Sequence, residues 1–159
     1  MDYYTGMIIL KDVNETQRWA RNFAKGLHAP CVVALHGDLG MGKSEIVRAI
    51  IQELCGDNTV VPSPTFTLAQ TYETRHSKLE TRKQNAEFRI SSFESRISHF
   101  DLYRITDASE LEEIGLPHAC ANDITLIEWP EIAAHILPPN TIHVYITAEG
   151  DGRKLTTNS

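Results

Sequence analysis

Residues 37 to 44 read Gly37, Asp38, Leu39, Gly40, Met41, Gly42, Lys43, Ser44, which fits GxxxxGK followed by Ser or Thr. Each residue type in that spacing has a reason. The glycines let the backbone wrap close to phosphate oxygens with its N–H groups pointing inward, and the positive end of a following helix offsets anionic charge. Lys43 would bring a mobile cation to the outer phosphates, and Ser44 would place a hydroxyl where magnesium sits. The segment therefore implies binding of a nucleoside triphosphate. Phosphoryl chemistry on such a ligand also needs a metal near the β and γ oxygens and a group that positions water. Two carboxylates at strand ends qualify. Glu128 closes the apolar run Ile124 to Ile127 and would reach the metal directly or through water; Asp101 follows Ile97 to Phe100 and would share the ion or orient the water. A solvated strand-end carboxylate is the plain alternative for either alone. Ser63, Pro64, Thr65, Phe66 and Thr67 form a proline-framed loop whose hydroxyls could touch magnesium or water, unless the prolines only stiffen a turn. His99 shares a strand face with Asp101 and could lie in the active site, although packing or exposure accounts for it more simply. Trp129 is read first as a core residue, or as a ring beside a nucleotide. His36, His118, His135 and His143 have no metal-binding spacing.

These groups need a scaffold. Asp12 with Glu15 resembles a capping box, and Trp19, Phe23 and Leu27 recur every four residues, which predicts a helix over 13–26. Cys31 to His36 is a short apolar run between Pro30 and Gly37, as in a buried parallel strand. From Lys43 to Leu54 the apolar spacing is helical and stops at Gly56. Strands are expected at Thr67 to Tyr72, 96–103, Ile124 to Ile127 and Thr141 to Thr147, with a short helix from an Asp107 and Glu110 cap to Gly115. Alternating strands and helices predict an α/β fold like that of P-loop NTPases: three layers, with a small, largely parallel sheet flanked by helices.

At 159 residues the chain fits one domain, 1–159. No apolar run approaches the roughly 18 residues that span a bilayer, and MDYYTGMIILKDVNE does not read as a secretory signal, so a cytoplasmic protein without membrane contact is expected. Cys31, Cys55 and Cys120 are expected to be buried thiols. A formal charge of -6 argues against a surface-wide nucleic-acid platform. Between about 73 and 98 lies an insertion with an internal repeat: Arg75, Arg82, Arg89 and Arg96 stand seven apart, in register with Glu80, Glu87, Glu94 and Asp101. Helix and hairpin both remain open for it. A solvated insertion is the plain reading, and docking of RNA or a protein partner is the functional one.

GDLGMGKS at 37–44, SPTFTL at 63–68, HFDLYR at 99–104, ELEEIGL at 110–116 and IEWPE at 127–131 together resemble the TsaE family, over about residues 10 to 153. The resemblance implies a small Mg-dependent ATPase, weak alone, that assists TsaD and TsaB in placing a threonylcarbamoyl group on an adenosine of tRNA. The ATP would lie between this chain and TsaD. It implies that Leu39 to Ser44 hold phosphates, Ser44 and Glu128 hold magnesium, Asp101 serves hydrolysis, Thr65 belongs to a switch, and Thr16 to the wall near the base. Contact with tRNA would be indirect or through the basic insertion. The sequence departs from the family in Ser44, where threonine is commoner, in the long arginine repeat and in the short tail. Two other functions fit the loop: a small-molecule kinase with the insertion as lid, and a nucleotide-gated binding module with incidental hydrolysis. GTP is disfavoured because no asparagine is followed by lysine.

Overall fold

A computed structural model describes residues 5–75 and 95–158. The heptads between them, with the helix or hairpin expected there, lie outside the described residues.

The elements follow the order β1 (Gly6–Leu10), α1 (Val13–Ala24), β2 (Cys31–His36), α2 (Lys43–Cys55), β3 (Ala69–Glu73), β4 (Arg96–Asp101), α3 (Glu110–Glu113), α4 (Leu116–Asn122), β5 (Ile124–Glu128), a 3-10 turn (Pro130–Ala133), β6 (Ile142–Glu149) and β7 (Gly152–Asn158). Among the described residues seven strands form one sheet in the order β1-β7-β6-β2-β5-β4-β3. Pairs β6/β2, β2/β5 and β5/β4 are parallel, whereas β1/β7, β7/β6 and β4/β3 are antiparallel.

The sheet is therefore mixed, not largely parallel as expected. Burial explains the difference. All of β5 and all but the first residue of β4 are buried, as are Val32 to Leu35 of β2; strands covered on both faces are the kind that pair in parallel. From Thr147 onward β6 is exposed, β7 buries only Leu155 and β1 only Leu10. Such half-covered strands suit an antiparallel edge. Neither β1 nor β7 was expected from the sequence.

Among the described residues two apolar clusters, one on each face of the sheet, form the core. Ile46, Val47, Ile50 and Ile51 of α2 and Ala20 and Ala24 of α1 pack on Val33, Leu35, Leu126 and Val144. On the other face Leu111, Leu116 and Ala119 meet Val32, Phe100 and Ile127. The three layers are as expected. Helix α1 starts where the cap predicts, with the Glu15 N–H donating to Asp12 Oδ1 at 2.8 Å and the Lys11 N–H to Glu15 Oε2 at 2.7 Å. Asp107 and Glu110 exchange hydrogen bonds around the turn that leads into α3, but Ser109 is its N-cap and no side chain caps it; Gly115, at φ 79°, follows this short helix and α4 comes next. Only Cys120 is buried, its thiol pushed up to about 11 by burial and by Asp123, while Cys31 and Cys55 are half-buried.

At the end of the sheet opposite the glycine-rich loop, buried Asp123 ties three strands together. It accepts from Ser98 Oγ at 2.6 Å and from Arg96 Nε at 3.2 Å, and its carbonyl accepts from the Cys31 N–H at 3.0 Å. Arg96, the last arginine of the repeat, thus anchors the strand that carries Asp101. At the other edge, a Cβ on Gly152 would run into the Leu10 carbonyl and Lys11 Cα. Gly152→Ala is expected to lower stability by about 1–3 kcal/mol, as overpacking does, without altering the loop. An unchanged urea midpoint would show that the β1/β7 edge yields freely.

Candidate functional site

The β2 strand delivers the chain to the glycine-rich loop at the carboxyl edge of its parallel strands, and α2 begins within the loop at Lys43. Gly40 and Gly42 adopt φ 79° and 100°, in the left-handed region where glycine is free of Cβ strain. Lys43 is buried, and its ammonium donates to the carbonyls of Gly37 and Asp38, the latter at 3.1 Å. It also lies 3.8 Å from the centroid of the Trp129 ring. Burial pulls the Lys43 pKa below the ordinary 10.5, against the opposing pull of Glu128, Glu131, Asp101 and Asp38. Trp129 stands in a left-handed conformation at φ 56°, which no glycine relieves, and its ring meets Tyr103 at 4.9 Å.

The carboxylates arrive from adjacent strands, since Asp101 of β4 is the register partner of Glu128 in β5. Glu128 Oε2 accepts from Ser44 Oγ at 2.9 Å, and its Oε1 lies 2.8 Å from His99 Nε2, with both side chains buried. Asp101 Oδ2 accepts from Thr65 Oγ1 at 3.0 Å and Oδ1 from the Tyr103 N–H at 3.0 Å. Thr65 is held in turn by Ser63 Oγ at 2.6 Å. The two acids and the two hydroxyls thus join the loop helix, the proline-framed loop and two strand ends.

One cleft of about 530 Å³ gathers Leu39, Gly40, Gly42, Lys43, Ser44, Thr65, Asp101, Glu128 and Trp129. Gly37 and Asp38 contribute carbonyls to Lys43, while Met41 packs toward the core and borders a neighbouring cleft. Thr16 is not brought to the wall. It is fully buried with its hydroxyl donating to the Asp12 carbonyl at 3.0 Å, and Val13 is the α1 residue at the cleft. Sequence reasoning gave no role to Val13, Glu45, Tyr103, Arg104 or Arg153, which line the same cleft. Tyr103 and Arg104 sit inside the HFDLYR segment, so that motif could have flagged them. Arg153 had no such signal. His99, for which packing or exposure is the plainer reading and the active site the alternative, lies buried with its Nε2 2.8 Å from Glu128 Oε1.

The donor set suits a hard cation: Ser44 Oγ with Glu128, and Asp101 beside them, are all oxygens. Among the described residues no three His, Cys, Asp or Glu side chains enclose a metal by themselves. An ion with few protein ligands that completes its shell with phosphate and water, as magnesium does, fits this arrangement.

Fold and site together define an α/β protein with one mixed seven-stranded sheet flanked by helices and a glycine-rich loop at its carboxyl edge. The sequence model described as threonylcarbamoyl adenosine biosynthesis protein TsaE matches residues 10–155, and the chain belongs to the TsaE family, whose members take part in the biosynthesis of threonylcarbamoyladenosine in tRNA. It is similar to the tRNA threonylcarbamoyladenosine biosynthesis protein TsaE of Rickettsia bellii, 38% identical over 155 residues that cover 98% of this chain and 95% of the relative. The Haemophilus influenzae protein of the same description is 36% identical over 125 residues, 78% of this chain and 67% of the relative. In fold it is similar to the crystal structure of Bacillus subtilis YdiB, with a TM-score of 0.66 at 22% identity, covering 96% of this chain and 84% of that one. Among the described residues no helix is long and apolar enough to cross a membrane.

Proposed function

We propose that this chain is a cytoplasmic P-loop ATPase that binds and hydrolyses ATP with magnesium, as an accessory to TsaD and TsaB in tRNA threonylcarbamoyladenosine synthesis. The observation that carries the reading is the 2.9 Å contact between the Ser44 hydroxyl and the Glu128 carboxylate, beside the buried Lys43 ammonium. It brings the glycine-rich loop helix to a strand-end acid 84 residues away in sequence, which supports reading the two as phosphate cradle and metal-holding carboxylate. Glycine-loop amides and Lys43 would grip the phosphates. Ser44 and Glu128 would hold magnesium, which when bound offsets charge on the β and γ oxygens. His99 fixes Glu128 from behind, so the acid keeps its aim. Asp101, held by Thr65 and the Tyr103 N–H, would orient the attacking water or share the ion, and Thr65 would follow the state of the γ-phosphate. Trp129 packs on Lys43 and would report ligand binding by fluorescence.

A partner over the cleft is favoured by its rim. Leu39 at 77%, Phe66 at 81% and Tyr103 at 57% exposure are large apolar groups around the loop, with Arg104 lying 4.7 Å over the Phe66 ring. TsaD is the partner we assign to it. Contact with tRNA, given the charge of -6, is indirect or made through the basic insertion. Phosphate release measured with and without a matched TsaD and TsaB pair and tRNA tests the proposal: the partners should raise turnover severalfold. Equal turnover in both arms counts against the pathway role, and transfer of phosphate to a small acceptor would make the chain a kinase.

A further inference from the structure

His36, the last residue of β2, stands immediately before the glycine-rich loop and is held from both sides of its strand. Its Nε2 lies 2.9 Å from Nδ1 of His143 in β6, and its ring stacks on that of Tyr145, also in β6, at 4.4 Å. On the opposite side its Nδ1 is 3.4 Å from Glu131 Oε1, in the turn that follows β5. Since β2 lies between β6 and β5, one half-buried side chain ties three neighbouring strands together at the root of the loop. Burial pulls the His36 pKa below the ordinary 6.5, against the pull of Glu131, so at neutral pH the ring is uncharged and one proton joins it to His143.

Both groups that hold Lys43 hang from the segments His36 clamps. The Gly37 and Asp38 carbonyls, which accept from the ammonium, directly follow His36, and Trp129, whose ring lies 3.8 Å from that ammonium, is two residues from Glu131. Trp129 keeps a left-handed backbone at φ 56°, which a residue other than glycine holds only where its surroundings impose it. β6 crowds the start of the loop as well: a Cβ on Gly37 would stand 2.8 Å from the Ile146 carbonyl oxygen. We infer that His36 is a positioning residue for the phosphate-gripping lysine, its contacts with His143 and Glu131 fixing the carbonyls and the ring that aim Lys43. This rests on the nucleotide reading above. The residues that line the phosphate cleft do not include His36, so it acts through Lys43 and not on a ligand.

The test measures binding of ATP and of inorganic tripolyphosphate, which has the phosphates alone, by calorimetry on the full chain, beside its urea unfolding. His36→Phe keeps a ring to stack on Tyr145 and loses both nitrogen contacts. It is expected to weaken ATP and tripolyphosphate alike by about tenfold, the scale of one or two hydrogen bonds, with the urea midpoint little changed. His143→Phe should weaken both ligands by about threefold or more, and His143→Asn, whose amide can stand where Nδ1 stands, should restore both. If the asparagine variant binds as poorly as the phenylalanine variant, or if affinity falls only in step with the urea midpoint, the cluster serves stability alone and the positioning role is wrong. Unchanged affinity in His36→Phe and His143→Phe also overturns it, as does a loss confined to ATP. Failure of the unsubstituted chain to bind either ligand would instead defeat the nucleotide reading itself.

Discussion

Lys43→Ala is expected to raise the Kd for ATP by about a hundredfold or more. A charge-assisted hydrogen bond contributes about 1.5–3 kcal/mol, and Lys43 would make one to each of two phosphates, so the loss corresponds to about two decades or more at 1.4 kcal/mol per decade. In the structure its ammonium is satisfied by the Gly37 and Asp38 carbonyls and by the face of Trp129. The cation is thus already held over the loop, and little ordering remains for the ligand to impose. The same geometry sets a pH dependence. Because burial holds the Lys43 pKa below 10.5, affinity should fall on the alkaline side before an ordinary lysine would lose its proton. Titration calorimetry across that range, with far-UV circular dichroism to confirm that the variant is folded, checks both statements. Undiminished affinity in Lys43→Ala would end the assignment of residues 37–44 as a phosphate cradle.

The parts legible in the sequence are those where local chemistry and tertiary structure agree. Cys31–His36 is apolar because it is covered on both faces, so its limits could be read directly, and Gly56 marks the end of α2. Asp101 and Glu128 were visible as acids closing apolar runs, and their register pairing turns that pattern into one site. The illegible parts depend on contacts remote in sequence. In β7 only Leu155 is buried, so GRKLTTN carries no apolar period, and β1, exposed except at Leu10, pairs with β7 across long separations in sequence, as Gly6 against Thr157 and Leu10 against Arg153 make plain. With that edge unseen, Arg153 could not be placed at the loop. Thr16 failed in the opposite sense, for α1 turns its hydroxyl inward onto the Asp12 carbonyl.

Glu128→Gln and Asp101→Asn should each slow ATP turnover by about 10²–10³, the usual effect of removing one preorganised charge from a reaction centre, while ATP affinity changes only severalfold. Their contacts predict different phenotypes. Glu128 touches Ser44, the hydroxyl at the expected metal position, so the glutamine variant should need more magnesium to reach half its maximal rate. Asp101 instead faces Thr65 and the Tyr103 N–H, and its asparagine variant should keep the magnesium requirement while losing kcat. Measuring turnover against magnesium concentration, with TsaD and TsaB present, separates the acid that holds the ion from the acid that orients water. A raised magnesium requirement in Asp101→Asn alone would exchange the two roles. Wild-type turnover in both variants would remove the carboxylates from the chemistry, since neither His99 nor Thr65 can supply a negative charge to a magnesium ion.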